Sequence, residues 1–184
     1  MFEPGNLYHV YNRGNNREKI FFKPGNYQFF LDRYKKYLNE YIQTFAYCLL
    51  PNHFHLMIGT KDEIDTGKKV SEQFRKLFIS YAQAINKQER RTGSLFQKNF
   101  KRKKVETQTQ LTWLLYYIHR NPIHHGLDNQ LDYRWSSYNA LASQKMTYLD
   151  RESVHGWFGG RTAFINFHQQ NKEIDIKKLQ DELN

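Results

Sequence analysis

Pro51-Asn52-His53-Phe54-His55-Leu56-Met57-Ile58 is a short apolar run that carries two histidines one residue apart. Read as a β-strand with a side-chain period of two, it sends His53, His55 and Met57 to one face. Phe54, Leu56 and Ile58 point to the other face and can anchor in a core. Two imidazoles then stand side by side. Such a pair can hold one divalent metal and leave coordination positions for a third protein ligand and a substrate oxygen. Taken alone, His-x-His reads more simply as two polar residues on a half-exposed strand.

Working outward, residues 45–50 (Phe-Ala-Tyr-Cys-Leu-Leu) form a preceding strand, and Pro51-Asn52 turns it directly into the histidine strand as an antiparallel hairpin. Tyr27, Phe30, Leu31, Tyr34, Tyr37, Leu38 and Tyr41 recur at steps of three and four, which predicts an amphipathic helix over residues 26–41. Before it, residues 7–12 (Leu-Tyr-His-Val-Tyr-Asn) read as a first strand, followed by the loop Arg13-Gly14-Asn15-Asn16-Arg17. That loop is either an ordinary polar turn or a set of amides and guanidinium groups for phosphates and base edges. After a polar stretch at 60–69, Val70, Phe74, Leu77, Phe78, Tyr81 and Ile85 give the stripe of a second helix ending near Gly93. Residues 94–105 read as a fourth strand. The order βαββαβ predicts an α+β fold of the ferredoxin-like kind, an antiparallel sheet with its two helices on one face.

Composition bounds the partners. The chain has 28 Lys and Arg against 18 Asp and Glu, a formal charge of +10. Residues 141–184 are balanced at six of each sign, so the whole excess, 22 against 12, lies in residues 1–140. A basic main domain implies a polyanionic partner. Five of the seven residues from Lys98 to Lys104 are basic, and Phe96 and Phe100 are interleaved with them. Aromatics among charges of one sign suit the backbone and bases of single-stranded nucleic acid better than a merely solvated face. No ribonucleoprotein signature supports an RNA-binding module built on the same sheet. Cys48 is the single cysteine, which excludes an intrachain disulfide and a multi-cysteine zinc site. The N-terminus has no basic start followed by an apolar stretch, and no run approaches the roughly 18 apolar residues of a membrane span. The expectation is a soluble, cytoplasmic protein of one domain, residues 1–140, with a tail, 141–184, packed on or near it.

Thr107-x-x-Gln110 resembles a capping box that opens a third helix, packed through Leu111, Leu114, Leu115 and Ile118. Trp113, Tyr117 and Asn121 lie along one flank of that stripe, and Tyr116 points away from it. Pro122 disfavours further helix, placing Asn121 at or near the last turn. A phenol and an amide oxygen thus share a helical face, an arrangement that by itself is unexceptional.

At this point the chain resembles the REP-associated tyrosine transposases, a branch of the single-tyrosine HUH (His, hydrophobic, His) transposases. The resemblance rests on YHVYNRGNNR at 8–17, AYCLLPNHFHLMI at 46–58, GSLFQKNFKRKKV at 93–105, YIHRNPIHHGL at 117–127 and DYRWSSY at 132–138. It implies a ferredoxin-like core and metal-dependent cleavage and joining of single-stranded DNA beside REP-like palindromic hairpins with flanking guide bases. By the same resemblance, His53, His55 and Asn121 are metal ligands, Tyr117 is the nucleophile, and the cofactor is Mg or Mn. Arg13, Asn15, Asn16 and Arg17 are expected to read flanking bases. Lys98, Lys101, Arg102, Lys103 and Lys104 are expected to hold the DNA backbone. A monomer is favoured over a homodimer, and a last helix is expected over 175–183. His124-His125 departs from relatives, where these positions look basic or small. A non-catalytic hairpin-binding protein and a nuclease using water remain the alternatives.

Overall fold

The computed structural model describes residues 1–62 and 66–170. Four strands, β1 (Leu7–Arg13), β2 (Ile42–Leu50), β3 (His53–Thr60) and β4 (Lys101–Val105), form one sheet in the order β2-β3-β1-β4, every neighbour antiparallel. With α1 (Pro24–Leu38) between β1 and β2, and α2 (Thr66–Gln88) between β3 and β4, the expected βαββαβ order is observed.

Side-chain alternation divides the sheet into two cores. Tyr8, Val10, Phe54, Leu56 and Ile58 face α1 and α2 and pack with Phe30, Tyr34, Phe74 and Leu77. Ala46, Cys48, Leu50 and Met57 face the opposite way, onto α3 (Gln108–His124), through Leu111, Leu114, Leu115 and Ile118. The histidine strand therefore lies between two helical layers, and all eight of its residues are buried. Three further helices, α4 (Tyr138–Ala142), α5 (Arg151–Phe158) and α6 (Arg161–Gln170), cover the outer side of α3.

Two expectations are corrected. The strand predicted over 94–105 is confined to Lys101–Val105. Gly93 (φ 84°) and Asn99 (φ 60°) adopt left-handed backbone, which no continuous strand permits, so residues 94–98 form a loop held to the end of β1 by the Gly14–Phe96 bridge. Tyr116 points away from the packed stripe, as expected, and is nevertheless fully buried, because Phe167 and His168 of α6 close over that flank. Helix α3 also runs through Pro122 for two more residues. It then closes with His125 N–H donating to the Asn121 carbonyl and Leu127 N–H to that of Pro122, past the left-handed Gly126. The helix expected over 175–183 falls outside the described residues.

A buried relay fixes α3 against the tail. His168 Nδ1–H donates to the Phe164 carbonyl, His119 Nδ1–H to His168 Nε2, and the Ser137 hydroxyl to His119 Nε2, each at 2.9 Å. This pattern satisfies every ring nitrogen with both imidazoles neutral. Burial lowers the pKa of both rings, that of His168 to about 4. His119 thus points away from Tyr117 and into the scaffold.

Candidate functional site

The two central strands and α3 meet at the open end of the sheet. Pairing sets Tyr11 opposite His55 and Arg13 opposite His53. His9, Tyr11, His53 and His55 therefore share the face that α3 covers. Tyr117 on α3 reaches down to this row. Its ring is edge-on to His55, with centroids 5.3 Å apart, and His53 and His55 are themselves 5.3 Å apart. The Asn121 side chain, one helical turn beyond Tyr117, lies within hydrogen-bonding reach of the His53 ring. Side chains separated by more than sixty positions in sequence thus converge on one point.

Each of these polar groups has one of its two polar atoms already engaged. His53 Nδ1–H donates to Asn52 Oδ1 at 2.6 Å, and His55 Nδ1 is 2.9 Å from His9 Nε2. Asn121 Nδ2 donates to the Tyr117 carbonyl at 2.9 Å. What remains is Nε2 of His53, Oδ1 of Asn121 and, when His55 is the donor to His9, Nε2 of His55. Two neutral imidazole nitrogens and one amide oxygen, each fixed by a partner behind it, are a donor set suited to a divalent cation. Among the described residues no group of three or more His, Cys, Asp and Glu side chains is placed to hold a metal.

Electrostatics keep the imidazoles neutral. Burial, aided by His125 and the Arg13 guanidinium, pushes the His53 pKa down to about 3. Burial and the adjacent His9 ring hold His55 well below the usual range. Burial raises the pKa of Tyr11, and the neighbouring Tyr117 adds to this, so Tyr11 stays a phenol. Tyr117 is only 2% exposed and meets solvent through a cleft of about 220 Å³ lined also by Tyr11, Arg13, Gln97, Lys98 and Lys101. Among the described residues no carboxylate lines this cleft.

The basic residues separate by position. Lys101 and Lys103 are on the Tyr117 face, across β1 from Tyr11 and His9. Arg102 and Lys104 alternate to the other side. There the Arg102 guanidinium lies over the Phe2 ring, and Lys104 pairs with Glu3 at 2.8 Å. Arg13 and Lys98 line the cleft, whereas Asn15, Asn16 and Arg17 do not. Those three form an exposed 3₁₀ turn beside it, tied down by Gly14 N–H to the Asn52 carbonyl and Asn15 N–H to that of Leu95. A Cβ at Gly14 would come within 2.0 Å of the Glu18 carbonyl oxygen, so this turn requires glycine.

Three residues beside the histidines were not assigned to the site from sequence. His9 and Tyr11 could have been found by alternation, since Tyr8 and Val10 face the core. His125, edge-on to His53 with centroids 4.7 Å apart, carries no periodic signal because it caps the helix.

Comparison with known proteins bears on the family and the fold. The family described as "Transposase IS200 like" matches residues 5–121. A Haemophilus influenzae protein with the provisional name REP-associated tyrosine transposase is 27% identical over 151 residues, 68% of this chain and 86% of the relative. Among solved structures, a REP-associated tyrosine transposase bound to a REP hairpin superposes with a TM-score of 0.64. It is 20% identical and covers 78% of this chain and 82% of that one, so the likeness is one of fold.

Proposed function

The chain belongs to the IS200-like transposase family, and from that premise we propose that it cuts and rejoins single-stranded DNA beside REP-type hairpins through a covalent link to Tyr117. The observation that carries the proposal is the convergence of the Tyr117 ring with His55 and His53 in a cleft whose charged residues are all cationic. The solved relative bound to a REP hairpin supports the choice of partner.

Each residue has a definite task. Arg13, Lys98 and Lys101 neutralise phosphates of the bound strand and hold the scissile one in the cleft. His53, His55 and Asn121 would hold Mg or Mn. A cation held there would polarise phosphate oxygens and offset charge developing in the transition state. With two imidazole donors, Mn should bind more tightly than Mg. Tyr117 Oη attacks phosphorus. The Oη–P bond forms and the P–O3′ bond breaks, leaving a 5′-phosphotyrosine and a strand ending in a 3′-hydroxyl. The phenolic proton is lost in attack, and the departing 3′ oxygen gains one, so protons balance. Attack by a second 3′-hydroxyl reverses the step and joins strands without ATP, because the phosphodiester is conserved in the link.

The test is to incubate the protein with Mn and hairpin DNA from the flanks of its gene, then separate the products on a denaturing gel. A covalent species absent from Tyr117→Phe, with hairpin binding retained, is expected. Cleavage that persists in Tyr117→Phe establishes a water-using nuclease instead. Binding without any cleavage establishes a non-catalytic hairpin-binding protein.

A further inference from the structure

Beside the catalytic cleft lies a second cavity of about 440 Å³, between α2 and the loop of residues 93–100. The two cavities share Asn12, Gln97, Lys98 and Asn99 as a common partition. That partition is well braced. Gln97 N–H donates to the Arg13 carbonyl, and Asn15 N–H to that of Leu95, both at 2.9 Å. Gly93 and Asn99, both with left-handed backbone, stand at the two ends of the loop.

The chemistry of the second cavity differs from that of the first. Its wall is aromatic. Phe78 stands 5.1 Å from Phe96 and 5.5 Å from Phe100 between ring centroids, and Phe78 and Phe100 are only half-buried. Ile79, one of the few exposed large apolar side chains among the described residues, forms part of the lining at 45% exposure. Among the described residues the charged ones lining it are Arg75 and Lys98, with no carboxylate. A polar, cationic compartment for a phosphate thus lies beside an apolar, ring-lined compartment with a cationic rim. This is the alternation that one nucleotide of a single strand presents, a phosphate beside a flat apolar base.

We propose that this second cavity is a base-binding subsite, which takes one unpaired nucleobase of the strand whose phosphate lies in the catalytic cleft. The proposal rests on the strand-cleavage reading for its ligand and needs neither metal nor covalent chemistry. The base lies against Phe78 and Phe100, with Ile79 on its open side. Arg75 and Lys98 hold the adjoining backbone. The site explains why the interleaved rings Phe96 and Phe100 precede the basic strand. They set up the pocket and leave Lys101 to the phosphate.

The experiment uses the full chain in EDTA, so that binding is read without cleavage. The probe is a fluorescent hairpin oligonucleotide from the flanks of the gene with an unpaired arm on each side. An abasic site is moved along both arms, and affinity is read by anisotropy for the wild type, Ile79→Asp and Phe100→Leu. Ile79 is exposed, so Ile79→Asp leaves the fold intact. Expected is one arm position whose abasic substitution weakens wild-type binding about tenfold more than its neighbours do, an excess that disappears in both variants. A flat abasic profile, or an excess of the same size in the variants, overturns the proposal. Absence of a covalent adduct in the metal-containing assay would count against the catalytic reading alone, since this measurement is free of metal.

Discussion

Replacing His9 probes how the site is held. His55 is useful as a ligand only with its Nε2 unprotonated, which requires the proton on Nδ1, the atom 2.9 Å from His9 Nε2. His9→Leu keeps the volume roughly constant in a position that is only 1% exposed, and removes the acceptor. His55 Nδ1–H then either stays buried without that partner, at about 1–3 kcal/mol, or the proton moves to Nε2 and blocks coordination. Either way, metal affinity falls by about 10- to 100-fold, the range for loss of a hydrogen bond behind a ligating histidine. His9→Gln places an amide oxygen near the lost nitrogen and should recover most of this. The assay is Mn titration of DNA-free protein by calorimetry, with thermal unfolding of the apo form recorded alongside. If His9→Leu binds Mn as tightly as the wild type, or His9→Gln is as impaired as His9→Leu, His9 does not set the His55 tautomer.

Other consequences follow from the same structure. Lys101→Ala should weaken single-stranded DNA binding for every sequence and reduce the salt slope by about one contact, whereas Lys104→Ala, on the opposite face and paired with Glu3, should leave the slope unchanged; anisotropy at several salt concentrations compares them. The neutral His168 should make the protein acid-sensitive. Its folded pKa, about 4, lies below the unfolded value, so its contribution is complete above about pH 6.5 and declines as pH falls towards 4. Urea unfolding at about pH 7 and about pH 4.5 should differ by roughly 2 kcal/mol from this residue, and His168→Leu should flatten the dependence. Leu115→Ala, which opens space beneath α3 where the side chain is fully buried, should cost about 2–5 kcal/mol by the same method.

Much of this could be read from periodicity. Alternation along residues 53–58 placed both histidines on one face and three apolar side chains in the core, and that assignment defines which side of the sheet carries the site. The helical spacing of Tyr117 and Asn121 set both on one flank, and tertiary packing then determined that this flank faces the histidines. Other features depend on partners distant in sequence. Tyr116 is buried because α6 folds back over α3, and no local pattern reports that return. The loop at 94–100 resembled strand in composition, but the positive φ at Asn99 is a tertiary requirement. The basic run looked like one surface, although strict alternation divides Lys101 and Lys103 from Arg102 and Lys104. His9 was overlooked because a lone histidine in a strand becomes informative only once its neighbour across the sheet is known to be His55 or Met57.

The most direct test of the central claim is to digest the covalent protein–DNA species with trypsin and nuclease and sequence the modified peptide by mass spectrometry. The peptide running from Val105 to Arg120 contains adjacent tyrosines, Tyr116 and Tyr117, so fragmentation has to separate them. The account predicts a nucleotide phosphate on Tyr117 alone, since Tyr116 is turned into the α6 interface and Tyr117 lines the cleft. A phosphate on Tyr116 or Tyr11, or strand cleavage with no modified tyrosine, would contradict it.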